Sequence, residues 1–416
     1  MLSKLSAVPR PVLFYLASSF FMGLSNTIFD VVFNFYLAER GIDEASAGVI
    51  YAVATGVMAV AVVPLLLLGR VVSQRAILVG ASVLFACPFA AMPFVTSVPA
   101  ASAFLSVNLA GMLGQLSVGN SIAGAHVSPA ARTRLFSGFF ICYLGAGAVG
   151  STLVSLLGGL LDTSDLRKYQ FFLLLSFLSG CLLVAARVAS ARQAPRAAAA
   201  GTDAASRPPG ERRNFVVLFV AAGCLGASIA LVFRFANVLF AQIYDLPVGE
   251  VSLILGGDKI ISVIGAVSAP LLVRRFSLRP SAAFFGVLAC VSLLVQSLTV
   301  PLAVFTVFYM VRLLANYCLM PLLDTVAMSG FAPARRLVSI SLRQSSFYLG
   351  GAVAAAVYGN LLNQGDWRAA LWVSGGCALA GALAVTLVRD AEAAPPPPDA
   401  GAGAEKSGDK VVLEHA

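Results

Sequence analysis

Charge is scarce in this sequence. Of its 416 residues only 11% are Asp, Glu, Lys or Arg, less than half of the roughly 25% found in ordinary soluble domains. With 59% apolar residues and a mean hydropathy of +0.89, too little polar surface remains to cover a globule in water. A cytosolic enzyme and a disordered chain are therefore excluded, and lipid is the expected solvent. Paired cysteines are also missing. Cys87, Cys142, Cys181, Cys224, Cys290, Cys318 and Cys377 fall singly inside apolar runs without a CxxC, which excludes a disulfide scaffold and points to no metal site and no cofactor. Histidine is down to two residues. There is no HExxH, no protease-like Asp pair and no lipid-facing His/Asp/Ser set, so an intramembrane enzyme is not expected.

What the chain does have is apolar length. Runs of about 18–27 residues alternate with short polar breaks, as helices crossing roughly 30 Å of hydrocarbon require. Spans are expected near 11–37, 47–68, 76–95, 101–126, 135–161 and 169–189, then near 214–241, 249–273, 280–298, 301–328, 339–362 and 369–388. The first is too long for a signal-peptide core and lacks a small-residue cleavage site. This divides the chain into an N-terminal half (1–189), a linker (190–213), a C-terminal half (214–389) and a tail (390–416). The linker is rich in Arg, Pro and Ala, and the tail in Pro, Gly and charge; neither has apolar periodicity, and both read as unstructured.

The net charge of +9 would suit nucleic acid if it were concentrated in one domain, but it is scattered between apolar runs and reads as topology instead. Placing both ends inside collects Arg70, Arg75, Arg132, Arg134, Arg187, Arg192, Arg196, Arg207, Arg212, Arg213, Arg274, Arg275, Arg279, Arg335, Arg336 and Arg389 on the inner side. Arg40, Arg167, Lys168 and Arg368 remain outside. Both termini are expected in the cytoplasm, with the chain in the cytoplasmic (inner) membrane.

The two sets of spans echo each other. Asn34 matches Asn237, Pro64 matches Pro270, Pro129 matches Pro333, and Tyr143-Leu144-Gly145 matches Tyr348-Leu349-Gly350. The separations are 203, 206, 204 and 205 residues, and independent coincidences would not keep one register. The expected fold is an all-α integral membrane protein of twelve transmembrane helices in two pseudo-symmetric six-helix halves, with a site between them. From residue 11 to 389 the chain resembles the major facilitator superfamily. The family's G-x-x-x-D-R-x-G-R-R inner-loop signature falls on Gly69 to Arg75, which keeps Arg70 and Arg75 but lacks the Asp and the second Gly. The second half has Arg274-Arg275-Phe276-Ser277-Leu278-Arg279 at that place, and Gly145, Gly147, Gly150, Gly158 and Gly159 echo a glycine motif of proton-driven exporters without its Pro.

Polar side chains inside the spans carry the functional signal, because ionisable groups in hydrocarbon are costly unless paired or facing a wet cavity. Span 1 holds Asn26, Asp30 and Asn34 on one face, and its repeat partner, span 7, holds Arg234 and Asn237. Span 4 holds Asn108 and Gln115, and its partner, span 10, holds Tyr309, Arg312, Asn316 and Asp324. Spans 3, 6, 9 and 12 are nearly featureless. The resemblance implies the same four helices, 1, 4, 7 and 10, as cavity lining. Asp30, Arg234 and Asp258 are candidates for coupling or gating, with an outer salt bridge and a proton carrier as the two readings of Asp30. Asp258 and Lys259, adjacent on span 8, point about 100° apart and are expected to face different partners. Asn26, Asn34, Asn108, Gln115, Asn237, Tyr309, Arg312 and Asn316 are candidates for substrate contact, with a structural ion pair as the other reading of Arg312. Asp324 and Arg343 read as a structural ion pair, and His126 as interfacial.

These residues point to a secondary transporter, not an enzyme, working as a monomer by alternating access with protons as the coupling ion. The slight excess of cations within the spans suits an anionic, zwitterionic or amphipathic metabolite such as an antibiotic or siderophore-like compound. Export is preferred to uptake of a nutrient or siderophore, and a receptor is a remote alternative. Reporter fusions after Arg196 and at the C-terminal tail are expected to signal cytoplasm; an external signal at either would break the twelve-span arrangement.

Overall fold

The computed structural model describes residues 10–125, 129–161, 163–192, 211–276, 278–329 and 336–388. Twelve long helices account for nearly all of them: α1 (Arg10–Glu39), α2 (Glu44–Val71), α3 (Gln74–Ala91), α4 (Val98–Ala125), α5 (Pro129–Leu160), α6 (Asp165–Arg192), α7 (Glu211–Tyr244), α8 (Val248–Phe276), α9 (Leu278–Ser297), α10 (Leu302–Ser329), α11 (Arg336–Asn363) and α12 (Trp367–Thr386). Ten of them are long and apolar enough to span a membrane by length and composition alone. The other two, α8 and α11, have 29 and 28 residues and carry polar groups such as Asp258, Lys259, Arg343 and Gln344. Large apolar side chains stand exposed around the rim, among them Val60, Val63, Leu160, Leu178, Phe284 and Val353. Such a surface is tolerable only in lipid. The stretch expected as a linker contributes its ends to helices, since α6 runs to Arg192 and α7 starts at Glu211.

One end of the bundle is tied by short turns. After α1 the chain reverses at Gly41 (φ +72°), and after α11 at Gly365 (φ +73°), where the left-handed conformation favours glycine. At the place in the second half corresponding to Gly41 stands Asp245, which adopts φ 52°, one of the few side chains that tolerate that region. Asp43 then caps α2 by accepting the Ser46 N–H at 2.8 Å; its hydrogen bonds to Ser46 hold this exposed carboxyl below its usual range.

Each half packs in the same way. In the first, α1 lies on α5 and α6 while α3 joins α4 and α6; in the second, α7 lies on α11 and α12 while α9 joins α10 and α12. The backbone of α5 crosses Gly23 of α1 at Tyr143 so closely that a Cβ there would strike the Tyr143 carbonyl, and α11 crosses Gly226 of α7 at Phe347 in the same manner. Gly23 and Gly226 are 203 residues apart, Tyr143 and Phe347 are 204 apart. The three-dimensional repeat therefore pairs Tyr143 with Phe347, one residue away from the Tyr348 that letter matching selects. Identity at a lipid-facing or seam position is easily shifted, whereas the glycine crossing fixes the register. Pro333, the other half of one expected match, lies outside the described residues.

The halves meet along α2–α11 and α5–α8, with smaller contacts of α1 against α7 and α8. Among the described residues α4 and α10 make no substantial contact with the opposite half. The seam is crowded toward the turn end. There a Cβ on Gly48 of α2 would lie 2.8 Å from the Ala355 carbonyl and 2.9 Å from Gly359 Cα of α11, so the two backbones touch without side chains between them. Deeper in, Thr55 reaches Gly351, and on the other seam Ser151 and Ser155 of α5 meet Gly256 and Gly249 of α8.

Gly48→Leu inserts a side chain into this crossing, an overpacking cost of about 1–3 kcal/mol charged only to the conformation in which the turn end is closed. In a cysteine-free background, Thr55→Cys is expected to react with a membrane-impermeant maleimide roughly tenfold faster when Gly48→Leu is present. An unchanged rate would show that this crossing does not hold the seam shut.

Candidate functional site

Near the turn end, α1 and α7 are joined by a pair of asparagines that occupy equivalent places in the two halves. Asn34 Nδ2 donates to the Arg234 carbonyl at 2.5 Å and to Asn237 Oδ1 at 2.8 Å. Asn237 Nδ2 donates in return to the Val31 carbonyl at 3.1 Å. Val31 and Arg234 are separated by the same 203 residues as Asn34 and Asn237, so each amide reaches the same relative carbonyl of the other helix. The clasp is reciprocal about the pseudo-two-fold axis. Tyr51 of α2 breaks the symmetry by donating to Asn34 Oδ1 at 2.8 Å and offering its ring to Arg234, whose Cζ lies 5.0 Å from the centroid.

One helical turn below the clasp lie the ionisable groups. Arg234 Nη1 stands 3.9 Å from Asp30 Oδ1, joining the halves, and Asn26 Nδ2 donates to Asp30 Oδ2 at 2.6 Å. On α8, Lys259 Nζ stands 3.3 Å from Asp258 Oδ1, while the buried Tyr309 hydroxyl donates to Asp258 Oδ2 at 3.0 Å. A cavity of about 30 Å³, lined by Thr27, Asp30, Asn237, Leu255, Asp258 and Lys259 among others, lies between the two acids. It has room for a water molecule or two and brings carboxylates of both halves to one space. Lys259 feels both Asp258 and Asp30 electrostatically, so the two pairs form one group across the seam.

Arg312 stands apart. It is 0% exposed, and neither Nε nor either terminal nitrogen has a hydrogen-bond partner. Its guanidinium lies over the Tyr309 ring, 5.2 Å from the centroid. One turn further along α10, Asn316 is 2% exposed with both amide atoms unpartnered. Asp258, the counter-ion open to Arg312 on sequence grounds, acts on it through space but makes its direct contacts with Lys259 and Tyr309. A bare guanidinium at mid-helix in a bilayer costs about 2.5–3.5 kcal/mol on insertion scales. Among the described residues, three cations (Arg234, Lys259, Arg312) therefore act on the two carboxylates Asp30 and Asp258.

A family model described as "Major Facilitator Superfamily" matches residues 15–336. The chain belongs to the Major Facilitator Superfamily. Solved structures of this fold superpose over nearly the whole chain. A POT family transporter crystallised with a thioalcohol-conjugated peptide aligns with TM-score 0.76 at 12% identity, over 90% of this chain and 95% of its own. The xylose transporter XylE from E. coli, in an inward open conformation, gives 0.72 at 12% identity, over 92% and 97%. A mutant of the nucleoside transporter NupG gives 0.72 at 16% identity, over 90% and 98%. No curated protein matches in sequence. At these identities the likeness concerns the fold, and the chain is a multi-pass membrane transporter of the superfamily that moves a small molecule.

Within this facilitator the candidate residues sort by place. Asn26, Asp30, Asn34, Arg234, Asn237, Asp258 and Tyr309 gather at the seam through the contacts above. Asn108 does not: its amide donates to the Phe85 carbonyl at 2.6 Å, fastening α4 to α3 inside the first half. Gln115 is fully buried with neither amide atom partnered, on the same helix. Arg343 has partners of its own, while His126 and the side chain of Asp324 lie outside the described residues.

Two expectations need correction. Asp258 and Lys259 share one cavity instead of facing apart, because the four-carbon lysine stem curls back to the neighbouring carboxylate despite the 100° between their Cβ directions. Span 6 is not featureless, since Arg187 is 1% exposed, stacked 4.7 Å over the Tyr15 ring of α1 and tight against Gly119 of α4. Lys259 is the seam residue that sequence reasoning set beside Asp258 but did not count among the site candidates. Its signal was its own rarity, as a lysine in the middle of an otherwise apolar helix.

Proposed function

We propose that this facilitator is a proton-coupled exporter of a small anionic, zwitterionic or amphipathic metabolite, acting as a monomer in the cytoplasmic membrane with both termini inside. The observation that carries the proposal is the pairing of Asp30 with Arg234 and of Asp258 with Lys259 around one small cavity between the halves. A carboxylate there can hold or release a proton inside lipid, and its partner cation is offered by the opposite half or by the neighbouring residue. Protonation of Asp30 removes the charge that attracts Arg234, which couples proton occupancy to contact between the halves.

The arginine-rich inner loops favour cytoplasmic termini. On that orientation the crowded turn end is external, and the described conformation is closed toward the outside. The surplus cation at the seam favours a negatively charged cargo. For such a cargo an inside-negative membrane potential drives outward movement, by about 2.3 kcal/mol per charge per 100 mV.

Inverted vesicles energised with a proton gradient and offered a panel of small anions, zwitterions and neutral metabolites provide the test. Accumulation of an anionic or zwitterionic compound is expected, collapsing with a protonophore and abolished by Asp30→Asn without loss of protein from the membrane. Accumulation indifferent to the protonophore would refute proton coupling. Accumulation confined to right-side-out vesicles would refute export.

A further inference from the structure

Arg312 and Asn316 are two buried, unpartnered polar side chains one turn apart on α10, so they share a face of the helix. Among the described residues within the spans, the carboxylates that might neutralise Arg312 are engaged. Asp258 makes its contacts with Lys259 at 3.3 Å and with the Tyr309 hydroxyl at 3.0 Å and reaches Arg312 only through space, while Asp30 is held by Arg234 and Asn26. Asp324 is twelve residues further along the same helix, about 18 Å away at 1.5 Å per residue. What Arg312 does have is a stack over the Tyr309 ring, a weak contact that leaves the guanidinium fork free to bind a planar acid in its place.

We infer that Arg312 and Asn316 form the seat for the acid group of the transported compound, and that the compound is an amphipathic monocarboxylate bearing a hydroxyl or N–H close to that group. The inference rests on the transporter reading above and names the cargo class within it. A guanidinium binds a carboxylate through two parallel hydrogen bonds. The Asn316 amide N–H adds a third donor to the acid, and its carbonyl accepts from the neighbouring hydroxyl or N–H, which a simple acid would leave unsatisfied. One negative charge balances this group, in which three cations act on two carboxylates. A dianionic phosphate would require a second free cation, and Lys259 and Arg234 are both paired. Aromatic rings neighbour Arg312: the Tyr309 ring lies under the guanidinium and is itself packed edge-on by Phe240, and Tyr358 lies within electrostatic reach. An apolar or aromatic body on the acid is what such rings accept.

Calorimetric titration of the purified full chain in nanodiscs tests this, with 3-phenyllactate as the probe. Saturable binding is expected, roughly tenfold weaker for 3-phenylpropionate, which lacks the hydroxyl, and absent for the neutral amide of phenyllactate. Arg312→Gln should abolish binding. Asn316→Asp guards against a folding defect in that variant, because it places a carboxylate one turn from Arg312. It should raise the thermal midpoint of the protein while abolishing phenyllactate binding. The inference is overturned if phenyllactate gives no binding heat, if Asn316→Asp binds it as the unmodified chain does, or if chloride or phosphate competes for the seat at equal concentration. Failure here with proton-driven flux of some other compound intact removes the seat and leaves the transporter reading standing. Phenyllactate binding without any driven flux does the reverse.

Discussion

The reciprocal amide clasp between Asn34 and Asn237 is the contact around which the molecule is arranged. Each amide donates to the backbone of the other helix at the equivalent residue, which is feasible only if α1 and α7 approach as a near-two-fold pair. That approach sets the spacing of the remaining seams. It brings Asp30 to Arg234 one turn below, and it is compatible with glycine at the α2–α11 crossing, where Gly48 and Gly359 leave no room for side chains. In lipid an unsatisfied amide is costly, so the clasp is either made or replaced by water, and the halves have two discrete arrangements instead of a continuum.

Lipid also explains why polar groups are concentrated at the seam. The rim helices present Val, Leu and Phe to the bilayer, while the charges collect where the halves meet. Within that seam the balance is uneven. Asp30 and Asp258 each hold a cation in direct contact, and Arg312 has no hydrogen-bonded partner. A transporter that closes around its cargo can tolerate such a vacancy, because the cargo completes the site when bound and binding energy is gained at the point of recognition.

Much of this architecture could be read from residue order alone. Apolar run lengths give twelve helices, and the Asn34–Asn237 match gives the duplication and identifies the pair that now clasps. The polar stripe on α10 singled out Arg312 before its surroundings were known. Other features depend on packing that residue order does not specify. Asn108 looks identical in sequence to the seam asparagines, but the face it occupies turns it to Phe85 of α3. Arg187 resembles an inner-loop orientation charge and is instead buried on Tyr15, since a long side chain near a helix end can point inward as readily as toward the interface. The Tyr143–Tyr348 match is one residue out because the constraint falls on Gly23 and Gly226 beneath them. Lys259 could not be placed by helical angle, as the length of its stem outweighs the direction of its Cβ.

The clasp is tested most directly by distance measurement across the turn end. Gln242 of α7 donates to Glu44 of α2 at 3.0 Å at the exposed edge of the seam, so spin labels on cysteines at these two positions report whether the halves are closed there. With both asparagines present the account predicts a dominant short distance. Changing Asn34 and Asn237 together to Ala should transfer that population to a longer distance, with each single change giving an intermediate shift. A distribution that stays short in the double variant would contradict the claim that the reciprocal clasp holds this end of the transporter closed.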